Sequence, residues 1–528
     1  MQHRLATLLI AAVALLGVTA AASAHASLLR SAPAEGAVID AWPAQVTLSF
    51  SEPVRPLVLR LIGPDGTSRP LDAVASDSML AIDPPNASNA AGSYLLAWRV
   101  VSSDGHPVGG TVAFAVGAPS ATPPTLPQLD DRVLDGVLWS TRLALYLCLF
   151  FGAGGAFAHS WLISRGHDGE GTVATFAALG LVAAALAFGL HGVDALGAPL
   201  GLVGDSVAWR AAAATSYSLT TVLAVVALAL TLLTLVSDGI LARALSLGAL
   251  ACVGAALAAS GHASSAQPQW LMRPMVFVHG VGVAIWAGAL LPLGLAYGRG
   301  TPEAGEALRR FSASIPYVVA ALIGAGIVLA FVQVETPSAL WRTAYGRVLL
   351  AKLALVVPLL LLAAANRWRL TGPTLAGEAD ATRRLVRNIA WETLAVAAIL
   401  AVVAGFRFTP PPRILAIEAA EPAAIHIHTA EAMADLTLSP GRAGKVAATI
   451  MLMTGDFGPL DAGSVQLRLS KGDTATVPVV AAAHKPGDGT WRVDAVELPA
   501  AGTWDAAIEV AMPDGSQATL TGTIVIRP

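Results

Sequence analysis

Polar and apolar positions along this 528-residue chain change their period several times. After an opening apolar run, residues 25–118 alternate, as in Val46-Thr47-Leu48-Ser49-Phe50 and Thr111-Val112-Ala113-Phe114-Ala115-Val116, with Pro, Gly and Asp turns between the runs. A period of two in short β-branched stretches predicts strands, and a series of them predicts a small all-β sandwich. Residues 119–131 are rich in Pro and read as a semi-rigid linker. Alternation then gives way to eight continuous apolar stretches, about 134–163, 172–191, 212–236, 240–260, 272–297, 312–333, 345–366 and 386–406. Each is long enough to cross a bilayer as a helix, so residues 132–412 predict an eight-helix transmembrane bundle. Beyond Thr409-Pro410-Pro411-Pro412 the period of two returns, in Val465-Gln466-Leu467-Arg468-Leu469 and Ala506-Ala507-Ile508-Glu509-Val510, and predicts a second all-β sandwich over 413–528.

Composition agrees with a multi-domain membrane protein, since 13% of residues are charged and 55% hydrophobic, against about 25% charged in soluble domains. A net charge of −3 provides no basic footprint for nucleic acid. Cys148 and Cys252 both fall in apolar runs, so transition-metal chemistry has to rest on His, Met and carboxylate. Residues 1–24 read as a signal peptide: His3-Arg4, an apolar run from Leu5 to Ala20, then Ala22-Ser23-Ala24. An exported N-terminal domain and an even number of crossings put both termini outside the cytoplasmic membrane. Inner loops then carry ten arginines (165, 243, 299, 309, 310, 367, 369, 383, 384, 387) and outer loops four (210, 273, 342, 347), the expected positive-inside bias.

Removal of the signal makes His25 the first residue, with a free amine and an imidazole that can close one chelate ring. Asp104 and His106, two apart in Ser103-Asp104-Gly105-His106-Pro107, point to one face of an extended segment. His25-Ala26, Ser31-Ala32-Pro33-Ala34-Glu35-Gly36, Leu48-Ser49-Phe50-Ser51-Glu52-Pro53 and this Asp-x-His segment together resemble the periplasmic copper-binding CopC family, an Ig-like or cupredoxin-like sandwich. The resemblance implies that His25, with its amine, Asp104 and His106 bind Cu(II), and a nitrogen-rich tetragonal donor set suits that ion. Met79 alone offers no thioether cluster for Cu(I) in this domain.

Three histidines are expected near the outer surface of the bundle: His191 ending the second helix, His262 after the fourth and His279 a turn inside the fifth. They are expected to share a vestibule, with Met272 and Met275 as soft donors on the same approach to a Cu(I) path. Gly261-His262-Ala263, the His279 helix with Trp286-Ala287-Gly288, and Tyr345-Gly346-Arg347-Val348-Leu349-Leu350-Ala351-Lys352 make this block similar to the CopD family of copper-resistance membrane proteins. His159 lies near the inner end of the first helix. Arg142, Lys352 and Glu392 fall inside spans, where a charge is costly and must face the interior or snorkel.

Gly489-Thr490-Trp491 and Gly502-Thr503-Trp504-Asp505 make the last domain similar to YtkA-like extracytoplasmic domains. His426 and His428 alternate on one strand face and form a candidate secondary metal site, with His484 or Met433 as further donors. No nucleophile, phosphate-loop or metalloprotease motif argues for an enzyme. The expected function is copper binding outside the membrane and delivery across or into it, in copper homeostasis and resistance. Expected partners are the copper ion, the lipid bilayer, and periplasmic chaperones or cuproenzymes. The alternatives are a membrane redox protein with bis-His haem, and a copper chaperone or sensor without transport.

Overall fold

The computed structural model describes residues 26, 28–50, 53–83, 90–102, 107–120, 124, 132–163, 169–420, 422–429, 432–454, 458–471 and 477–527. The first domain is a two-sheet sandwich. Its strands are β1 (Leu28–Ala32), β2 (Val38–Ile39), β3 (Val46–Phe50), β4 (Arg55–Ile62), β5 (Ser68–Pro70), β6 (Ala73–Ser76), β7 (Met79–Ile82), β8 (Gly92–Val101) and β9 (Pro107–Val116). One sheet runs β1-β3-β7-β6 and the other β2-β9-β8-β4-β5. The alternation seen in β3 is realised: Val46, Leu48 and Phe50 are buried and the residues between them are not. Aromatic rings fill the space between the sheets, with Trp42 edge-on to Tyr94 at 4.9 Å and to Phe114 at 5.6 Å, geometries favoured by ring quadrupoles.

Eight helices are long and apolar enough to cross a membrane. They are α1 (Arg132–Trp161), α2 (Glu170–Leu196), α3 (Tyr217–Val236), α4 (Gly239–Ala259), α5 (Gln269–Gly298), α6 (Ala304–Val334), α7 (Ala344–Ala365) and α8 (Ala379–Ala404). Several expected bounds need correction, and α6 and α8 begin at Ala304 and Ala379, ahead of the apolar stretches expected from 312 and 386. The stretch 212–236 is split into a short helix, Ser206–Ala214, and α3, because the chain turns at Thr215, whose hydroxyl bonds back to the Ala212 carbonyl. The second helix runs on to Leu196, so His191 sits more than a turn inside it rather than at its end.

Helices α1 and α5 form the spine of the bundle. A Cβ on Gly154 would lie 1.8 Å from the Ala284 carbonyl oxygen, and one on Gly288 would lie 2.3 Å from the Gly154 backbone. Small residues there let backbone touch backbone, which is how helices gain packing energy in lipid. By contrast, α6 and α7 leave most of their apolar surface outward, with Phe331, Ile327, Leu361 and Val357 exposed.

The last domain is again two sheets, built from β10 (Ala423–His428), β11 (Met433–Ser439), β12 (Gly444–Met453), β13 (Ser464–Ser470), β14 (Val479–Ala483), β15 (Trp491–Leu498), β16 (Gly502–Ala511) and β17 (Gln517–Ile526). The orders are β10-β11-β12-β15 and β14-β13-β16-β17. Trp504 is fully buried between them and its indole N–H donates to the Ala500 carbonyl at 3.0 Å. Since α1 begins, and α2 and α8 end, at the same side of the bundle, both sandwiches attach to one end of it.

Candidate functional site

His25, Asp104 and His106 lie outside the described residues, as does most of the 119–131 linker. Their flanks are described, and strand register relates those flanks to one another. Leu28 pairs with Phe50, Arg55 pairs with Val101, and Val101 pairs with Pro107. Only four residues separate Phe50 from Arg55. The start of β1, the end of β8 and the start of β9 therefore belong to one end of the first sandwich. Ala26 at that end is 2% exposed and belongs to the same core as Phe50 and Val100.

This end of the sandwich is docked on the bundle. Arg99, two residues before β8 ends, donates from Nη1 to the carbonyls of Asp194 at 2.9 Å and Ala195 at 3.2 Å, in the last turn of α2. A helix leaves its last four carbonyls unsatisfied and carries partial negative charge there, so a guanidinium is the fitting cap. Gly197 terminates α2 in the left-handed region at φ 58°, and a Cβ at that position would lie 2.6 Å from Arg99 Nη2. The glycine serves the turn and the approach of the arginine at once. Asp194 places a carboxylate at the wrong pole of the α2 dipole, and Arg407, just past α8, pairs with it. Sequence reading missed Arg99, Asp194 and Arg407. The available signal was an acid in the last turn of a helix, which calls for cations nearby.

His191 lies one turn below Asp194, its ring stacked on Tyr217 at 4.4 Å. The other membrane candidates have these surroundings. His262 opens the short helix His262–Ser265, and its carbonyl accepts from Gln333 Nε2 of α6 at 3.0 Å. His279 on α5 places Nδ1 3.2 Å from the Leu322 carbonyl of α6, with Gly326 against the ring. Met272 is fully buried in the first turn of α5 and Met275 is half-buried one turn on. The structure thus associates His191 with α3, and His279 with α6. Among the described residues no group of three or more His, Cys, Asp or Glu side chains is placed to hold one metal ion.

The charges inside spans find separate partners. Arg142 donates from Nε to the Tyr146 hydroxyl at 2.8 Å, and Glu392 accepts from Asn366 Nδ2 at 2.7 Å. In the last domain His426 pairs across the hairpin with Asp435, and its Nδ1 is 2.6 Å from Asp435 Oδ1. Two positions along the hairpin His428 is in register with Met433, which is 2% exposed. Asp435 also meets Arg30 of the first sandwich at 3.5 Å. His484 does not join this group, because it bridges to Arg492 of β15, the opposite edge of the sheet from β10.

Comparison with known proteins adds to this geometry. Residues 28–117 match the CopC domain family, and residues 305–406 match the family described as Copper resistance protein D. Copper resistance protein C of Xanthomonas campestris pv. juglandis is 36% identical over 108 residues, covering 19% of this chain and 84% of that protein. Copper transport protein CutJ of Bacillus subtilis (strain 168) is 26% identical over 373 residues, covering 65% of this chain and 68% of that protein. The crystal structure of CopC from Methylosinus trichosporium OB3b is 30% identical, covering 19% of this chain and 98% of that one, with a TM-score of 0.17.

Proposed function

This chain belongs to the CopC family and carries a CopD domain in the same polypeptide, and from that premise we propose that it binds copper outside the cytoplasmic membrane and delivers it into the bundle. Its parts are a signal peptide to residue 24, a copper-loading sandwich over 25–118, a linker to 131, the membrane block over 132–412 and a YtkA-like outer domain over 413–528. The protein is a carrier of copper, not a catalyst.

Cu(II) is held by the amine and imidazole of His25 with Asp104 and His106. A mixed nitrogen and carboxylate set of this kind favours Cu(II) over other divalent ions. The observation that carries the reading is the Arg99 contact, which supports docking of the copper-loading end of the sandwich onto the last turn of α2, a turn above His191. Docking of this sort makes hand-over an intramolecular step that needs no free ion in solution. His191 receives the ion, and His262 and His279, with Met272 and Met275, continue the path; these soft donors suit Cu(I), whose lower charge reduces the cost of burial, so a one-electron donor outside the membrane, of the thiol or quinol class, reduces Cu(II) at hand-over and is itself oxidised. His426 and His428 make a secondary station on the last domain, in which the carboxylate of Asp435 holds the His426 ring in position.

Copper titration of the full chain in nanodiscs, followed by electron paramagnetic resonance, tests the first step. Wild type is expected to bind one Cu(II) in a nitrogen-rich tetragonal site, and one extra residue before His25 is expected to weaken it at least tenfold. Unchanged affinity in the extended chain sinks the role of the terminal amine. Uptake into oriented vesicles, with Cu(I) and Cu(II) supplied separately, tests delivery.

A further inference from the structure

At the end of the bundle away from the sandwiches, helix α7 gives way at Asn366–Leu370 to a π-helical turn. Such turns widen the backbone spiral and are frequent at functional sites. This one carries Asn366 into a chain of side chains linking it to α8. Asn388 Nδ2 donates to Asn366 Oδ1 at 2.9 Å, and Asn366 Nδ2 donates to Glu392 Oε1 at 2.7 Å. The first bond fixes the second, since an amide whose oxygen is occupied by Asn388 must turn its NH2 toward the carboxyl. Glu392 is 3% exposed and sits midway along α8. It borders a cavity lined also by Trp286, Phe311, Ser312, Asn366 and Arg367. Arg367 is the one other charged residue of that lining, and its Nη1 is engaged by Ser312 Oγ at 2.7 Å.

We propose that Glu392 is a proton-binding site of the membrane block, which releases its proton toward the cavity when a cation passes and takes it back afterwards. The coupling to a cation rests on the copper-delivery reading above; the proton site itself does not. The chemistry of the donor set carries it. A glutamine at this position would complete the same amide chain at no charge cost, whereas a carboxylate has to be balanced by a positive charge, and Arg367, the cation of the same lining, is turned to Ser312. A proton or the passing ion supplies that charge in turn. In the step the carboxyl O–H bond breaks, the proton leaves through the cavity, and the carboxylate remains balanced by the cation until it is reprotonated.

The elements packed against α8 offer few competing groups. Helix α7 has none between Lys352 and Arg367, and α5 has none between His279 and Tyr297. Helix α1 brings His159, buried at this end against Gly169. On α8 itself Arg384 and Arg387 lie toward the helix start, and Arg383 pairs with Asp380.

Infrared difference spectra of the full chain in nanodiscs, between acidic and alkaline buffer, test the site directly. Wild type is expected to show the carbonyl band of a buried protonated carboxyl that disappears on titration; Glu392→Gln removes that band and Glu392→Asp restores one at a shifted position. Should Glu392→Gln fail to fold, Asn366→Ala keeps the carboxyl and is expected to shift the band. A band unaltered in Glu392→Gln, or in Asn366→Ala, overturns the proposal. A pH dye inside vesicles given Cu(I) tests the coupling: proton release is expected to fall severalfold in Glu392→Gln, with Cu(II) loading outside unchanged. Absence of copper entry in every variant counts against the delivery reading alone, because the carbonyl band is read without copper.

Discussion

The two sandwiches at one end of the bundle share an architecture and differ in how they are attached. The first, with its Trp42, Tyr94 and Phe114 core, is held by a guanidinium on a helix terminus, in a half-buried contact with two backbone carbonyls and a glycine shaped to receive it. The last meets its neighbour through Arg30 and Asp435, where the arginine side chain is 75% exposed. Charge-assisted bonds to carbonyls in the last turn of a helix, in a half-buried contact, are worth more than an exposed ion pair screened by salt. The difference teaches that the first sandwich is positioned by the bundle, and the last by its chain connection and a weak lateral contact.

Four changes, with His426→Ala as a control, would break or sharpen this contrast. The largest effect is expected from Trp504→Ala, which removes the fully buried indole of the last sandwich and costs about 3–5 kcal/mol there. Calorimetry is expected to show loss of that domain's transition while Cu(II) loading of the first persists; loss of both would mean the sandwiches fold as one unit. His106→Ala is expected to weaken Cu(II) binding by at least tenfold, about 1.4 kcal/mol or more, with His426→Ala leaving that affinity in place, as read by copper titration. Arg99→Ala removes charge-assisted bonds of about 1.5–3 kcal/mol. It is expected to speed proteolysis in the 119–131 linker and slow copper entry without altering Cu(II) affinity. Arg30→Ala is expected to be the smallest, within about 1 kcal/mol, and to vanish in high salt. A larger effect of Arg30→Ala than of Arg99→Ala on cross-linking between domains would reverse the comparison.

Much of the fold was legible along the chain, because spanning helices and alternating strands announce themselves by period. The misread bounds have local causes: the hydroxyl of Thr215 ends a helix inside an apolar run, and Asp194 looks like an exit from the membrane until Arg407 is seen beside it. The residues proposed to load copper were read from a short motif and an expected new terminus. Their docking was not, since Arg99 reaches carbonyls 95 and 96 residues away, and Arg407 an acid 213 residues away. No sequence period encodes such partners. The Asn388–Asn366–Glu392 chain was half visible, as a charge in a span, while the amides that frame it come from a turn whose π geometry the apolar pattern conceals.

The contact of Gly154 with Gly288 sets how the membrane block can move. With main chain pressed on main chain there is no side-chain layer to shear, so α1 and α5 behave as a mast. Any rearrangement of the block is then left to the helices packed around that mast, such as α6 and α7, whose outward faces stay uncovered. A bulkier residue at either glycine would pry the mast apart.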